Sequence, residues 1–451
     1  MIVFYVNEEE KRAVVHRSEA LKPFMVLKEV TNGEWTDDGL PANVESIIKD
    51  PSKHGYFKQV TWKKLSEIAP IEGLQILSET NIPTGIKCGL LNNKALQSAL
   101  SILTENEANI PSLFSEFNET SPSIFAIWLN NTNEWRVYML DEFFPYDMES
   151  ETWAFTTSGN ETWVLILEKA LAKMYGSYYA LQRGHPAHFI YDLMGAPYRH
   201  FYFDNPDQCW DFLISINRAT TTIVAMNKEP RYRIADENDI FKEPSYSFAV
   251  LDLQDIKTSR GNERLVKLRN PWDEGKWTGD WSKDSPKWTA HLLKKLNPDG
   301  LSDDVFWMSI TDFVKYYGLG FTFQVFPDYL HCSLRLKHSF KRNYSLLLMN
   351  IQTPGKLFVT VSQRDQKHFV NYEERYVYSL VKLMIVQVDE KLQFRRFVTG
   401  LYDKGRDCDI EVNFEAGDYM IYLEVDWQQS MNREIVISMG FLGGHQFLIE
   451  Y

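Results

Sequence analysis

Few residues in this chain are placed to do chemistry. The stretch CGLLNNKALQSALSILTENE, residues 88–107, runs from a short polar turn into apolar residues at helical spacing. It begins with a thiol, Cys88, and puts a cation, Lys94, at the first helical residue. A thiol at a helix N-terminus is poised to become a thiolate nucleophile. A lysine there runs against the helix dipole, and a protonated amine attacks nothing unless it is desolvated. Cys88 itself lies upstream of the helix with no histidine near it in sequence, which reads as a small, partly buried thiol. His185 and His188, with His200 nearby, suggest a metal site, but Pro186 separates the first two and no carboxylate stands at ligand spacing. A structural or surface role is expected for all three. Asp407, Asp409 and Glu411 alternate as a cation site could, or as the solvent face of a strand does; the strand is the expected reading. Phosphate-loop, dinucleotide, HExxH, GxSxG and EF-hand signatures are absent from the sequence.

The elements that position these residues are legible from periodicity and turn chemistry. One helix is predicted over 94–104. A second is predicted over WVLILEKALAKMYGSYYAL (163–181), apolar on one face, with Glu168 near Lys173. Between them, IFAIWLNN and EWRVYML flank an Asn-rich turn and predict a hairpin. SYSFAVLDL and ERLVKLR read as strands, followed by Trp272, Trp277, Trp281 and Trp288. Beyond about residue 330 the short runs KLFVTVS, LVKLMIVQV, DIEVNF, DYMIYLEV and REIVISM predict an antiparallel sandwich.

Composition bounds the partners. The 451 residues are 44% hydrophobic and 24% charged, enough for several cores. A net charge of −13 argues against nucleic acid or an anionic membrane as the main partner. Cys88, Cys209, Cys332 and Cys408 are widely spaced, which disfavours a disulfide framework and fits a reducing compartment. The opening MIVFYVNEEEKR is too short in its apolar run for a signal peptide, and no apolar stretch is long enough to span a membrane. A cytoplasmic location without membrane insertion is expected.

The tryptophan-rich run RLVKLRNPWDEGKWTGDWSKDSPKW (264–288) resembles the calpain family of cysteine proteases. Other pieces resemble that family in the same order: VTWKKLSEI (60–68), the hairpin, the long helix with YDLMG after it, and DDVFWMSITDFVKYY (303–317). The resemblance implies an α+β fold, with a papain-like two-subdomain core followed by an antiparallel C2-like β-sandwich. It divides the chain into an N-terminal extension (1–59), a helical subdomain (60–209), a β-rich subdomain (210–326) and the sandwich (327–451).

The same resemblance assigns positions. Lys94 stands where the nucleophilic cysteine belongs, Cys88 at the oxyanion-hole glutamine and Ala95 at the tryptophan after the nucleophile. Pro244 stands at the catalytic histidine, whereas Asn270 and Trp272 match the orienting asparagine and its shielding tryptophan. The calcium positions of the second subdomain match Lys276, Lys283, Leu301, Asp303 and Val305, and one of the first subdomain matches Gly85. Of these only Asp303 offers a side-chain oxygen to a hard cation. The implied protein is a calpain-like pseudoprotease with neither calcium nor another cofactor. It would act as a protein-binding or structural scaffold, for example in a cytoskeletal, axonemal or ciliary assembly. The alternatives are a calcium-dependent cysteine endopeptidase with altered residual activity through Cys88, and a regulatory subunit of an active protease. A phospholipid-binding module is disfavoured by the net charge.

Overall fold

The computed structural model describes residues 3–6, 35–68, 85–91, 93–114, 124–159, 161–182, 184–227, 247–258, 261–272, 276–297, 304–325, 329–339, 342–369, 376–428, 434–442 and 447–450. The helical part is built on α1 (Lys94–Leu103), α2 (Trp163–Tyr175) and α3 (Pro186–Met194). Every residue of α2 except Lys173 is buried, so the helix runs through the core and is not apolar on one face only. Glu168 and Lys173 do not meet. Glu168 accepts hydrogen bonds from Thr156, while Lys173 pairs with Asp37 at 2.6 Å. The predicted helix over 163–181 is also broken at Gly176. There φ is +92°, the left-handed conformation that closes a helix, and a short 3-10 turn follows at Tyr178–Gln182.

The predicted hairpin is present as β1 (Ile124–Asn131) and β2 (Glu134–Asp141), paired in register from Ile124 opposite Asp141. Thr132 and Asn133 form its turn with φ of 54° and 61°, both left-handed, as a two-residue type I′ turn requires.

A six-stranded antiparallel sheet carries the β-rich part. Its strands are β3 (Tyr198–Tyr202), β4 (Thr222–Met226), β5 (Ser247–Thr258), β6 (Gly261–Arg269), β7 (Val305–Ser309) and β8 (Leu319–Phe323), ordered β7-β6-β5-β4-β8-β3. The four tryptophans divide between two small cores. Trp272 and Trp277 pack with Phe248 and Phe306, while Trp281 packs with Trp307 and meets Trp288 edge-on at 5.0 Å. Val224, Met226, Phe321 and Phe323 of this sheet belong to the core of the helical part, so the two parts share apolar packing.

The C-terminal strands are β9 (Tyr329–Lys337), β10 (Tyr344–Ile351), β11 (Gly355–Gln363), β12 (Leu380–Val388), β13 (Phe394–Asp403), β14 (Asp407–Phe414), β15 (Gly417–Asp426), β16 (Glu434–Leu442) and β17 (Phe447–Glu450). They form one sheet in the order β17-β10-β15-β12-β13, with Val3–Val6 added beside β17, and a second in the order β9-β16-β11-β14. Leu347, Leu383 and Leu423 of the first sheet share a core with Val359, Ile410 and Ile437 of the second.

The outer face of the second sheet overturns the solvent-face reading of Asp407, Asp409 and Glu411. Asp407 is 8% exposed and accepts from Arg406 Nε at 2.5 Å; Asp409 accepts from Thr360 Oγ1; Glu411 pairs with Arg199 of β3 at 3.4 Å. This face lies on the core. Arg406 reaches Asp192 of α3 at 2.7 Å and Asp365 at 3.1 Å, and donates to the His188 carbonyl at 3.2 Å. Asn133 donates to Ser362 at 2.6 Å, and Arg335 pairs with Glu134 at 2.6 Å. The histidines sit at the same junction, with His185 ring centroids 5.6 Å from His188 and 4.9 Å from His200. His185 caps α3 by accepting the Ala187 N–H, and burial pushes His188 down to about 4. Among the described residues no helix is long and apolar enough to cross a membrane.

Candidate functional site

The mouth of α1 is built from three turns of chain. Lys94 is its first residue, half-buried, and everything after it in the helix is buried. The N-cap is Asn93, whose side chain does not cap. Its amide instead points inward and donates to Thr156 Oγ1 at 2.7 Å and Glu168 Oε1 at 2.5 Å. Glu168 also accepts from Thr156 Oγ1 at 2.6 Å and from the Thr156 N–H at 3.1 Å. Burial pushes this carboxyl up to about 7, against the pull of those hydrogen bonds. Thus a buried carboxyl lies behind the position that the lysine heads.

Cys88 is tied into the same mouth. Its Sγ donates to Gln97 Oε1 at 2.6 Å, and Gln97 Nε2 donates to the Ile86 carbonyl at 2.6 Å. Burial, and then the charge of Glu168, push the thiol up to about 12, although Lys94 pulls the other way. At neutral pH this sulfur is a protonated hydrogen-bond donor, the opposite of an activated nucleophile.

The other positions that the family resemblance names lie on the sheet. Strands β5 and β6 are antiparallel with Ala249 opposite Arg269, so the start of β5 lies beside the end of β6. Asn270 follows β6 and is 3% exposed; its N–H donates to the Asp304 carbonyl at 2.7 Å and its Oδ1 accepts the Trp272 N–H at 3.0 Å. Trp272 is 7% exposed and packs in the core of the sheet. Helix α1 packs against β5. Arg269 ties the sheet to the C-terminal end of α1, 2.6 Å from Glu105 just beyond the helix and 2.6 Å from Asp304. Pro244 lies before β5, outside the described residues.

Lys276 and Lys283 line an open cleft of about 600 Å³ with Trp277, Asp280, Asp284 and Phe306. Val305 opens β7, and Gly85 precedes the short strand Ile86–Lys87. Leu301 and Asp303 lie outside the described residues. Lys276 and Lys283 bring ammonium groups to this cleft, where calcium takes oxygen ligands. Among the described residues no group of three or more His, Cys, Asp or Glu is placed to hold a metal ion.

Sequence reasoning passed over Gln97 and the Glu105–Arg269 pair, and set Glu168 beside Lys173 instead of behind Asn93. Glu168 carried a signal, a lone carboxyl inside the apolar run WVLILEKALA. Its titration gives a prediction. A carboxyl whose folded pKa is raised from 4.5 to about 7 contributes stability below its unfolded pKa that is lost as pH rises through the folded one. Wild type is expected to lose about 3 kcal/mol from this group between about pH 5 and pH 8. Glu168→Gln removes that slope, and urea unfolding across the interval checks it.

The comparisons with known proteins agree with the geometry. The model of the "Calpain family cysteine protease" family matches residues 35–319, starting ahead of the resemblance read from residue 60. The calpain-type cysteine protease ADL1 of Oryza sativa subsp. japonica is 28% identical over 362 residues, 76% of this chain and 16% of that protein. Calpain-5 of Caenorhabditis elegans is 27% identical over 296 residues, 57% of this chain and 45% of that protein. The calpain-2 catalytic subunit of Rattus norvegicus is 26% identical over 280 residues, 60% of this chain and 40% of that protein. The chain therefore spans less than half the length of each of these relatives. Since the match runs unbroken through the mouth of α1, the hairpin and the tryptophan-rich edge of the sheet, the chain belongs to the calpain family of cysteine proteases.

Proposed function

We propose that this chain is a calpain-fold protein without peptidase activity, and that it serves as a scaffold that holds a protein segment without cutting it. The observation that carries this reading is Lys94 at the head of α1, where the family resemblance puts the nucleophile. Cys88 supports it, because a thiol donating to Gln97 and pushed up to about 12 cannot replace that nucleophile. The Arg406 contacts between sandwich and core suit a permanent part of an assembly, and the cytoskeletal or axonemal setting belongs to this proposal. The terminal sandwich is read as C2-like.

The test is hydrolysis of casein and a fluorogenic peptide, with and without calcium, together with a thiol-reactive peptide probe. No turnover and no stoichiometric label at Cys88 are expected. Turnover that disappears in Cys88→Ser, with Cys88 labelled, would overturn the reading in favour of an altered peptidase. Affinity capture from native cells in a calcium chelator then tests the scaffold. A partner in constant ratio to this chain supports it, and capture only of an active protease counts against it.

A further inference from the structure

The two outer faces of the sandwich are reversed from what water prefers. The polar face packs on the core, with Asp407 and Ser362 buried and Asp409 half-buried. The opposite face, on β10-β15-β12-β13, exposes a group of large apolar and aromatic side chains. Register places Leu346 beside Tyr422, Tyr422 beside Met384 and Met384 beside Gly400 in one row. In the flanking rows Tyr344 stands beside Glu424, Lys382 beside Tyr402, and Val386 beside Phe397. Exposure is 40% at Tyr344, 42% at Leu346, 41% at Met384, 58% at Phe397 and 71% at Tyr402. A solvated sheet face alternates to polar residues; here the charged residues in these rows are Lys382 and Glu424, which pair with each other at 2.9 Å, and the exposed side chains around them are apolar or aromatic.

We propose that this face is the docking site for an amphipathic α-helix of a partner protein. With strands about 4.8 Å apart and same-face residues about 6.8 Å apart, three rows across four strands cover about 400 Å². A stable dimer buries about 800 Å² on each partner, so a second copy of this chain is too large an occupant for so small a patch. A helix of three to four turns is about 20 Å long and offers an apolar stripe of matching length. An added strand at the edge of β13 reaches Phe397 and Tyr402 but not Leu346 or Tyr422, which lie on inner strands. Charge narrows the choice further. The ion pair on this face, Lys382–Glu424 at 2.9 Å, is neutral, and the chain carries −13, which repels an anionic membrane.

The experiment is selection of a phage-displayed library of linear random peptides on the full chain, then affinity measurement on Leu346→Glu/Met384→Lys, which keeps the net charge. Phe397→Ser/Tyr402→Ser reads the same face from the edge strand should the first variant fold poorly. Selected peptides with apolar residues at i, i+3, i+4 and i+7, bound at least tenfold more weakly by the variants, are expected. Three results overturn the proposal. These are alternating apolar peptides whose binding ignores Leu346→Glu/Met384→Lys, a wild-type dimer that the variants abolish, and no enriched peptide at all. None of these depends on whether the α1 cleft is catalytically dead.

Discussion

Arg406→Met loosens the sandwich from the core and costs about 3–5 kcal/mol, the range for breaking a buried ion pair on one side. The guanidinium is 4% exposed and faces three carboxylates: Asp192 at 2.7 Å, Asp365 at 3.1 Å and Asp407 at 2.5 Å. Methionine fills part of the volume but leaves those carboxylates with weaker support. Asp365 keeps Lys367 at 2.8 Å and His188 at 3.3 Å, Asp407 keeps the Ser362 hydroxyl, and among the described residues Asp192 keeps the Tyr175 hydroxyl on its other oxygen. Asp192 is therefore the group that suffers. Even beside Arg406, burial pushes it up to about 6, and losing the cation raises it further. A carboxyl raised in the folded state stabilises below its unfolded pKa and loses that contribution as pH rises, so the penalty is larger at about pH 8 than at about pH 5.5. Urea unfolding at both values reads the difference, and limited proteolysis reads release of the C-terminal sandwich. Adding Asp192→Asn to Arg406→Met is expected to recover part of the loss, because it removes the orphaned charge. Recovery of nothing would assign the effect to packing and sink the electrostatic account.

The contrast between what was and was not legible has a physical basis. Local signals were read correctly. Alternation found β5 and β6, the Asn-rich turn found the β1–β2 hairpin, and apolar spacing found α1. Period-two alternation also put Asp407, Asp409 and Glu411 on one face, but it cannot say what that face meets. The answer lies about two hundred residues away, at Asp192, Tyr198 and Arg199. For α2 the fault was one of degree, since a helix buried all round has no polar face to read, and its Glu168 and Lys173 serve different partners. The family pattern named Lys94, Cys88, Asn270 and Trp272. Periodicity held no hint that Gln97 takes the Cys88 thiol, because that contact joins a loop to a helix turn. Pro244, Leu301 and Asp303 were named from the same pattern and lie outside the described residues.

Lys169→Met is expected to cost a similar ~3–5 kcal/mol while acting at the other end of the helical core. The Lys169 side chain is fully buried on α2, and its ammonium donates to the Asp141 carboxylate, to the Asp141 carbonyl at 3.0 Å and to the Phe143 carbonyl at 2.6 Å. It also lies 4.8 Å from the Phe144 ring centre. Burial pulls its pKa down and Asp141 pulls it back, which marks a charge held by its partners and not by water. Methionine matches the stem but orphans two carbonyls and leaves Asp141, among the described residues, with the N–H groups of Asp37 at 2.8 Å and Phe143 at 3.1 Å. Asp37 in turn holds Lys173, so the damage spreads to the segment that carries Leu40 and Ile47 into the core. Hydrogen exchange at Leu40 and Ile47 should rise in Lys169→Met while the Arg406 junction stays protected. Lys169→Met/Asp141→Asn should recover part of the stability, as neutralising Asp141 removes the uncompensated charge. The Lys169 and Arg406 networks share no residue, so their effects should add to within about 0.5 kcal/mol. A large coupling between them would mean that the sandwich and the helical core respond to strain as one unit, and that the Arg406 junction is part of the core itself.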